Sequence, residues 1–338
     1  MSFHTFDYQI LTPTPPSNKA RILELLKDLE EQPQLQLKAI KQLEILAAEN
    51  ERNIKYMIEA GVSKAVFSFI STCFLGNQTE GLEQGLSILH YIVRINSNNN
   101  MQNLIENERA MDSLTWILSC KSENPMIKTH AILVLKSIVE KGNPNNISRL
   151  KPELFKNIVE VLRKSDKNVV THEGLNAVLQ ILLEASPYGR NRMLMVEYGA
   201  VFELIELEIV SGATERRTTE LVFGILFNLC SCADGRAQFL SHKASIAVVS
   251  RRILRVSPAV DDSAVMIFAM ICRFSGTKQV LREMVELGAV SRLCVLLQVE
   301  CGRYLKERVK EMLKAHIVEW KDSSCLNHDS HYGQVMDE

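Results

Sequence analysis

The sequence predicts an all-α protein whose short helices stack in tandem as a right-handed solenoid. The first observation behind this prediction is composition. Glycine (15 of 338 residues) and proline (9) are scarce, and helix formers such as Leu, Glu, Lys and Ala dominate, so turn-rich β folds are disfavoured. The second observation is a short pattern that recurs at a nearly constant spacing, which is the signature of a repeat architecture.

The recurring pattern is a short helical segment with a large apolar residue four positions before a glycine. The clear copies pair Met57 with Gly61, Met195 with Gly199 and Met284 with Gly288, and weaker copies without the glycine centre on Leu104, Leu150 and Leu240. The apolar residue recurs at steps of 47, 46, 45, 45 and 44 residues. Helical repeats of the armadillo and HEAT kind have periods of roughly 40–47 residues, so the period predicts an armadillo-type array.

Each unit should contain three helices, as its first complete copy illustrates. Residues 51–60 form a short first helix that Gly61 ends, because the sharp turn needs a left-handed residue. Residues 62–72 form the second helix, and a loop at 76–79 leads through Thr79, a candidate N-cap, into a third. Apolar residues at the 3,4 spacing from Leu82 to Val93 make that third helix amphipathic. Neither face is covered within one unit, so neighbouring units must stack.

The repeats divide the chain into three predicted parts. Residues 1–18 form a linker that cannot be helical around its Thr12-Pro-Thr-Pro-Pro16 segment. Residues 19–320 form an array of about six to seven repeats, from helices at 19–29 and 35–48 to a charged last helix at 305–320. Residues 321–338 are polar, and we expect them to be disordered.

Charge and cysteine usage exclude several classes of function. A net charge of −1 attracts neither nucleic acid nor anionic membranes, and the longest apolar run, residues 264–272, is too short to span a membrane. The N-terminus lacks the basic start and apolar stretch of a secretory signal. Five of the eight cysteines (Cys73, Cys120, Cys230, Cys272 and Cys294) lie in apolar helical contexts, which indicates buried thiols in a reducing cytoplasm or nucleus.

Motifs for metal binding or catalysis occur only as near misses, so we predict no catalytic residue, metal, cofactor or small-molecule site. His172-Glu173-Gly-Leu-Asn176 has Asn where a zinc-protease helix needs its second histidine, and a role in helix capping or in the groove is favoured there. Cys230-Ser-Cys232 is too tightly spaced for zinc, and the Cys325, His328 and His331 cluster lacks a second group.

The third helices of an armadillo array line a concave groove, which we predict binds a protein partner. Aligning them places Ile45, Tyr91, Ser137, Ile181 and Asn228 at the same groove-facing position. The candidate contacts are Tyr91, Ser137 and Asn228, with Ser87, Thr129, Glu173 and Glu220 one or two turns earlier. Nuclear-import armadillo proteins repeat Asn at this position with Trp one turn before it. Only Asn228 fits that pattern, so an import or cadherin-type scaffold is disfavoured.

Basic clusters offer a different candidate site. Arg251, Arg252 and Arg255 could contact an acidic or phosphorylated peptide, because guanidinium groups bind carboxylates and phosphates in a bidentate manner. Two further pairs lie at Arg190 and Arg192 and at Arg216 and Arg217. The favoured alternative for all three clusters is solvated helix faces and hydrogen bonding at the turns between repeats.

Several segments are more specific than the period. The sequence from Cys232-Ala-Asp-Gly-Arg through Ser257 resembles the armadillo region of plant U-box E3 ubiquitin ligases. The segments at 188–192, 293–302 and 306–320 and the Thr-Pro-Thr-Pro-Pro linker are similar to it as well, so the resemblance covers about residues 11–320.

The resemblance implies a module that selects substrates for ubiquitination and that can associate with full-length U-box relatives. In the family a U-box recruits the ubiquitin-charged E2 enzyme. Only ten residues precede Leu11 and no Cys-Pro-Ile pattern occurs among them, so we expect this chain alone to lack ligase activity. Two alternatives stay open, an adaptor or competitor without a U-box and the armadillo half of an active ligase. A cytoplasmic location, extending to the nucleus, and a role in stress or defence signalling are expectations from the family.

Overall fold

The computed structural model describes residues 18–95, 108–121, 124–211 and 215–320. They divide between two compact units, residues 1–100 and residues 101–338, which are described separately. Every regular element in the described ranges is helical, and no strand occurs in them. The prediction of an all-α fold is therefore confirmed.

The first unit contains the end of one repeat and one complete repeat. Its helices are α1 (Asn18–Glu31), α2 (Gln36–Glu49), α3 (Glu51–Ala60), α4 (Val62–Gly76) and α5 (Leu82–Ile95). Helix α1 packs on α4, and α2 packs on α5, so helices of the same rank in successive repeats are neighbours. Helix α4 continues past the predicted end at residue 72, because Asn77 terminates it in the left-handed conformation with φ +48°. Asn tolerates this conformation better than most residues.

The second unit contains two helices of one repeat, four complete triplets and a final short helix. These are α6 (Glu108–Ser119), α7 (Pro125–Glu140), α8 (Pro144–Ile147), α9 (Pro152–Arg163), α10 (His172–Ala185), α11 (Gly189–Glu197), α12 (Ala200–Ser211), α13 (Arg216–Cys230), α14 (Ala233–Ser241), α15 (Ser245–Arg252), α16 (Pro258–Ser275), α17 (Lys278–Glu286), α18 (Ala289–Gln298), α19 (Arg303–Ala315) and α20 (Ile317–Trp320). Each complete triplet comprises a first, a second and a third helix.

Helices of equal rank stack side by side in this unit. The third helices α7, α10, α13, α16 and α19 each pack on the next, and the second helices α6, α9, α12, α15 and α18 form a parallel row behind them. The predicted stacking of third helices is therefore confirmed within the second unit. The buried faces of the three helices in each triplet supply a mainly aliphatic core, which also contains the fully buried Phe223, Phe239 and Phe268.

The turns between first and second helices follow the predicted glycine rule in three repeats. Gly61, Gly199 and Gly288 have φ values of +82°, +87° and +76°, so all three are left-handed as predicted. The apolar residue four positions earlier, a methionine in each case, is completely buried. A residue with a Cβ would be strained at these turns, which explains the recurring glycine.

The weaker copies of the pattern deviate from the prediction. Leu240 is only half-buried, and Phe239 occupies the fully buried place instead, so the predicted register is wrong by one residue. This repeat has no left-handed glycine, and α14 ends at the extended His242. Leu150 follows a first helix of only four residues, α8. The next helix already begins at Pro152, which leaves little chain between them. Leu104 lies outside the described residues.

The last predicted helix is broken. His316 (φ −120°, ψ 24°) interrupts residues 305–320, so α19 ends at Ala315 and α20 is a separate turn. The break lets the buried Trp320 donate from Nε1 to the carbonyl oxygen of Leu281 on α17, at 3.0 Å. The prediction of one continuous helix was wrong because it did not include this indole contact.

The predicted linker at 1–18 lies outside the described residues except for Asn18, which begins α1 and so is helical. The predicted tail at 321–338 lies wholly outside them. Within the described part of the chain no single helix is long and apolar enough to cross a membrane. The pair α3 and α4 meets the length and composition of a span only together, and it is bent by 76°. Cys73, Cys230, Cys272 and Cys294 are buried as predicted, whereas Cys120 is half-buried.

Candidate partner-binding surface

The exposed edge of the stacked third helices is the candidate surface in the second unit. Glu173 near the start of α10 is exposed, as its predicted role requires. Glu220 on α13 is half-buried and accepts a hydrogen bond from Arg216 Nε at 2.9 Å. This bond, with a further one from Ser257, lowers the pKa of the Glu220 carboxyl, so Glu220 presents a negative charge at neutral pH.

Two of the predicted positions further along the third helices are partly accessible. Asn228 is half-buried, and its Nδ2 donates to Ser186 Oγ at the end of α10, at 2.8 Å. Ser137 is half-buried on α7 and donates to the carbonyl oxygen of Leu133 at 3.1 Å. Both residues are partly exposed, whereas the aligned Ile181 is buried, contrary to the groove-facing position that the alignment gave it.

Thr129 does not lie at the surface. The residue is only 1% exposed, and its Oγ1 accepts the backbone N–H of Thr171 at 2.9 Å and lies 3.2 Å from Thr171 Oγ1. Thr171 in turn caps α10 by accepting the N–H of Gly174. Thr129 therefore joins two repeats, and its burial argues against direct contact with a partner.

The first unit carries the other two predicted contacts, both on α5. Tyr91 is half-buried, with its ring centroid 6.1 Å from that of His90. Ser87 is buried, with 5% exposure, so its hydroxyl does not reach the surface. Tyr91 remains a candidate contact, and Ser87 is corrected to a core position.

The three clustered arginines of the second helix α15 and its following loop differ from one another. Arg251 and Arg255 are exposed, whereas Arg252 points back to α12 and donates from Nε to Glu208 Oε1 at 2.5 Å. The Glu208 side chain is completely buried, and Thr219 also donates to its Oε1 at 3.3 Å. Arg252 is therefore committed to an internal ion pair, and only Arg251 and Arg255 remain accessible to an acidic peptide.

Burial raises the pKa of the Glu208 carboxyl, and the charge of Arg252 opposes that effect. Among the described residues Glu208 Oε2 has no hydrogen-bond partner. Removing Arg252 would therefore leave a buried carboxyl with little compensation.

Polar contacts between successive repeats account for the pair Arg190 and Arg192, whereas exposed Arg216 and Arg217 pair with Glu220 of their own helix. Arg190 donates to the carbonyl oxygen of Leu150 at 2.7 Å, and Arg192 donates to Ser231 Oγ at 2.6 Å. His172 begins α10, and its Nε2 contacts a carboxylate oxygen of Glu215 of the next repeat. The predicted alternative of hydrogen bonding at the repeat turns is confirmed for Arg190 and Arg192, and His172 takes part in packing between repeats.

Sequence reasoning missed an apolar stripe on the exposed face of α16. Met266 and Met270 are half-buried, and Phe274 is 59% exposed. Tyr304 on α19, 60% exposed, lies beside Met266 with its hydroxyl 3.8 Å from the sulfur. The i, i+4, i+8 spacing of these α16 residues was the available signal, but the apolar run at 264–272 concealed it because most of that run is core.

The described residues contain no group of three or more His, Cys, Asp or Glu side chains arranged to hold a metal ion. Burial raises the pKa of the Cys230 and Cys272 thiols to about 12, which leaves them without nucleophilic character at neutral pH. What the surface offers is an open row of polar and apolar side chains suited to noncovalent contact.

Stacked helix triplets with an open row of third helices define an armadillo-repeat protein. The model of the "Plant U-box protein ARM repeat region" matches residues 21–334, and the chain belongs to that family. Two Arabidopsis thaliana relatives are similar over most of their length. E3 ubiquitin-protein ligase PUB24 is 38% identical over 94% of this chain and 77% of its own. E3 ubiquitin-protein ligase PUB23 is 37% identical over 94% and 76%.

Solved structures share the fold. A structure titled for a phosphorylation switch that controls the interaction between cadherin and beta-catenin superposes with a TM-score of 0.70 at 12% identity. It covers 89% of this chain and 53% of its own. A designed armadillo repeat protein in complex with the peptide (KR)4 gives a TM-score of 0.52 at 17% identity, over 74% and 98%. At these identities the likeness concerns the fold alone.

Proposed function

We propose that this chain is a substrate-recognition module that acts in protein ubiquitination by binding protein partners along its third helices. The observation that carries the proposal is the row of α10, α13, α16 and α19, which bears exposed or half-buried side chains such as Glu173, Asn228 and Phe274 within the described part of the chain. The relatives named as E3 ubiquitin-protein ligases support the link to ubiquitination. As an adaptor or competitor, the chain would hold proteins that full-length U-box relatives also bind.

The test is a proximity-labelling comparison between matched surface variants. The double variant Glu173→Lys with Met270→Glu changes two third helices at exposed or half-buried positions. The control, Glu197→Lys with Met193→Glu, makes the same two changes on the exposed face of the first helix α11. Partners lost only from the first variant, with unchanged melting temperature, support the proposal. An identical partner list for both variants means that the third helices do not carry recognition.

A second candidate is that the sequence is the armadillo half of an active U-box ligase, which the names of the relatives favour. Ubiquitin chains formed by this chain with only E1 and E2 enzymes would contradict an adaptor role. Dose-dependent inhibition of a full-length relative on a shared partner would support the competitor role. An in-frame U-box coding exon upstream would favour the second candidate.

We also propose a location, a pathway and self-association, and the family resemblance is the support for all three. We place the protein in the cytoplasm, extending to the nucleus, and in stress or defence signalling, in line with the family resemblance. Imaging of a fluorescent fusion tests the location, and light scattering of mixtures with a full-length relative tests the self-association.

A further inference from the structure

The strongest unassigned feature of the second unit is a cluster at the C-terminal end of α16, which we call the Phe274 cluster (Phe274, Arg236 and Arg273). The guanidinium carbon of Arg236 lies 4.9 Å from the centroid of the Phe274 ring, and that of Arg273 lies 5.2 Å from it. Two cations thus lie beside one exposed aromatic ring. An anion that approaches this ring would be attracted by both charges and could form charge-assisted hydrogen bonds with a guanidinium group.

One of these arginines is fixed and the other is available. Arg236 donates to Ser275 Oγ at 3.3 Å and to the backbone oxygens of Cys230 and Ser231 at 3.1 and 3.3 Å, at the end of α13. Arg273 is exposed, and within the described ranges it forms no ion pair. The Phe274 cluster therefore combines a rigid cation with a free one.

The apolar stripe leads away from this cluster along α16. Met270 and Met266 follow Phe274 at intervals of one helical turn, so the three side chains cover about 12 Å of helix surface. Methionine side chains are flexible and polarizable, which suits them to contact varied apolar residues. The stripe therefore offers apolar contact of low shape specificity.

Charge is distributed unevenly along the stripe. At the Met266 end, Arg308 lies 5.2 Å from the Tyr304 ring, but Glu311 pairs with Arg308 at 2.9 Å. Exposed Asp262 adds a negative charge one turn before Met266. Among the described arginines that lie beside the two exposed rings, Arg308 is paired with a carboxylate and Arg273 is not, so the stripe has a direction.

We propose that the stripe binds a partner segment carrying an acidic group at the Phe274 cluster and two apolar side chains toward Met266. This inference rests on the proposed function and specifies which chemical groups the partner should carry. The acidic group is a carboxylate or a phosphate, since both present the oxygens that guanidinium groups bind. Charge complementarity fixes the orientation, and the apolar contacts add affinity.

The test is a selection from a library of random short peptides displayed on phage. The baits are the full chain, Arg273→Glu and, as a matched control, Arg282→Glu, which changes an exposed arginine on the first helix α17. We expect the wild-type chain and the control to enrich peptides with an acidic residue beside two apolar residues. Arg273→Glu should lose the acidic preference. Arg236 is left unchanged because it supports the end of α13.

A quantitative step uses synthetic versions of the enriched peptide in fluorescence polarisation. Replacing its acidic residue by Gln should weaken binding about tenfold, as expected for loss of a charge-assisted bond. Phosphoserine in that place should keep or strengthen binding, and a clear gain identifies phosphate as the better ligand. Arg273→Glu should bind a Lys-substituted peptide better than the acidic one.

The outcomes separate this inference from the proposed function. A basic or purely apolar consensus, or an acidic consensus unchanged by Arg273→Glu, overturns the inference and leaves the binding role intact. Enrichment of no peptide by any bait, together with identical partner lists in the labelling experiment, overturns both.

Discussion

Two turns of the second unit reverse the chain between a first and a second helix in different ways. Between α11 and α12 the chain reverses at Gly199, whose left-handed backbone (φ +87°) makes the turn by itself. Between α14 and α15 the chain reverses at His242, which is extended and 7% exposed. There Nδ1 accepts the N–H of Ala244 at 3.2 Å, while Nε2 lies 2.8 Å from Glu206 of the preceding repeat.

The two turns are therefore stabilised by different interactions. The glycine turn depends on local backbone freedom, and a Cβ added at Gly199 would meet only Arg163, at 3.9 Å. The histidine turn depends on the neighbouring repeat, because His242 also packs on the Phe202 ring of α12 at a centroid distance of 4.6 Å. Arg252 and Glu208 join α15 to α12 in the same way. The second turn is therefore made by a side chain that contacts the preceding repeat, whereas the first is made by the backbone of a glycine.

The largest expected effect comes from breaking this coupling at Arg252. Arg252→Ala should lower the free energy of unfolding by about 3–5 kcal/mol at neutral pH, because it leaves the buried Glu208 unpaired. Without Arg252 the pKa of Glu208 rises further in the folded state, and protonation then relieves the cost. The loss should therefore shrink as pH falls towards 4.5 and grow as pH rises.

Thermal unfolding from about pH 4.5 to 8 measures the effect, across the range where a raised Glu pKa titrates. The exposed Arg251→Ala serves as control and should change stability by less than about 0.5 kcal/mol. A cost for Arg252→Ala that is equal at all pH values would contradict the role assigned to Glu208.

A second prediction concerns Gly235 in α14. A Cβ at this position would lie 1.9 Å from the carbonyl oxygen of Leu229, so backbone would have to move. Gly235→Ala should destabilise the protein by about 3 kcal/mol. Gly302→Ala is the matched control, since no heavy atom lies within 4 Å of its Cβ position. Equal melting temperatures for the two variants would refute the steric argument.

The glycine turn itself supplies a smaller effect. Gly199→Val should cost about 2 kcal/mol, because a β-branched residue is strained at positive φ. Gly199→Asn should recover most of that loss, since Asn tolerates the left-handed conformation. Differential scanning calorimetry checks both variants. If Asn were as damaging as Val, the cost would arise from contacts and not from backbone strain.

The smallest predicted effect sharpens the coupling at the histidine turn. His242→Ala should cost about 1–2 kcal/mol through the lost hydrogen bonds and ring contact. His242→Asn keeps an acceptor near the Ala244 N–H and should recover part of the loss. A double-mutant cycle with Glu206→Ala measures the coupling between the repeats. A coupling energy of zero would show that the two residues act independently.

The two turns also explain how far the sequence alone could predict the structure. A glycine at a left-handed turn is recognisable in the sequence, so the three regular repeats and the stacking of third helices could be predicted from the period. The His242 turn contains no glycine, so the sequence pattern assigned the buried apolar position to Leu240 instead of Phe239. At the candidate surface, helical spacing located Glu173, Glu220 and Asn228. It could not reveal that Thr129 and Ser87 are buried or that Arg252 is engaged, because those facts depend on neighbouring repeats.

Trp320 shows what an inter-repeat contact means for motion. In a linear array of repeats, unfolding can begin at an outer repeat and progress to the next one. The indole of Trp320, held by the Leu281 carbonyl, fastens α20 to α17 across the intervening helices α18 and α19. Local opening of α18 or α19 is therefore restrained from both sides, and we expect slow hydrogen exchange in this repeat to extend to Trp320.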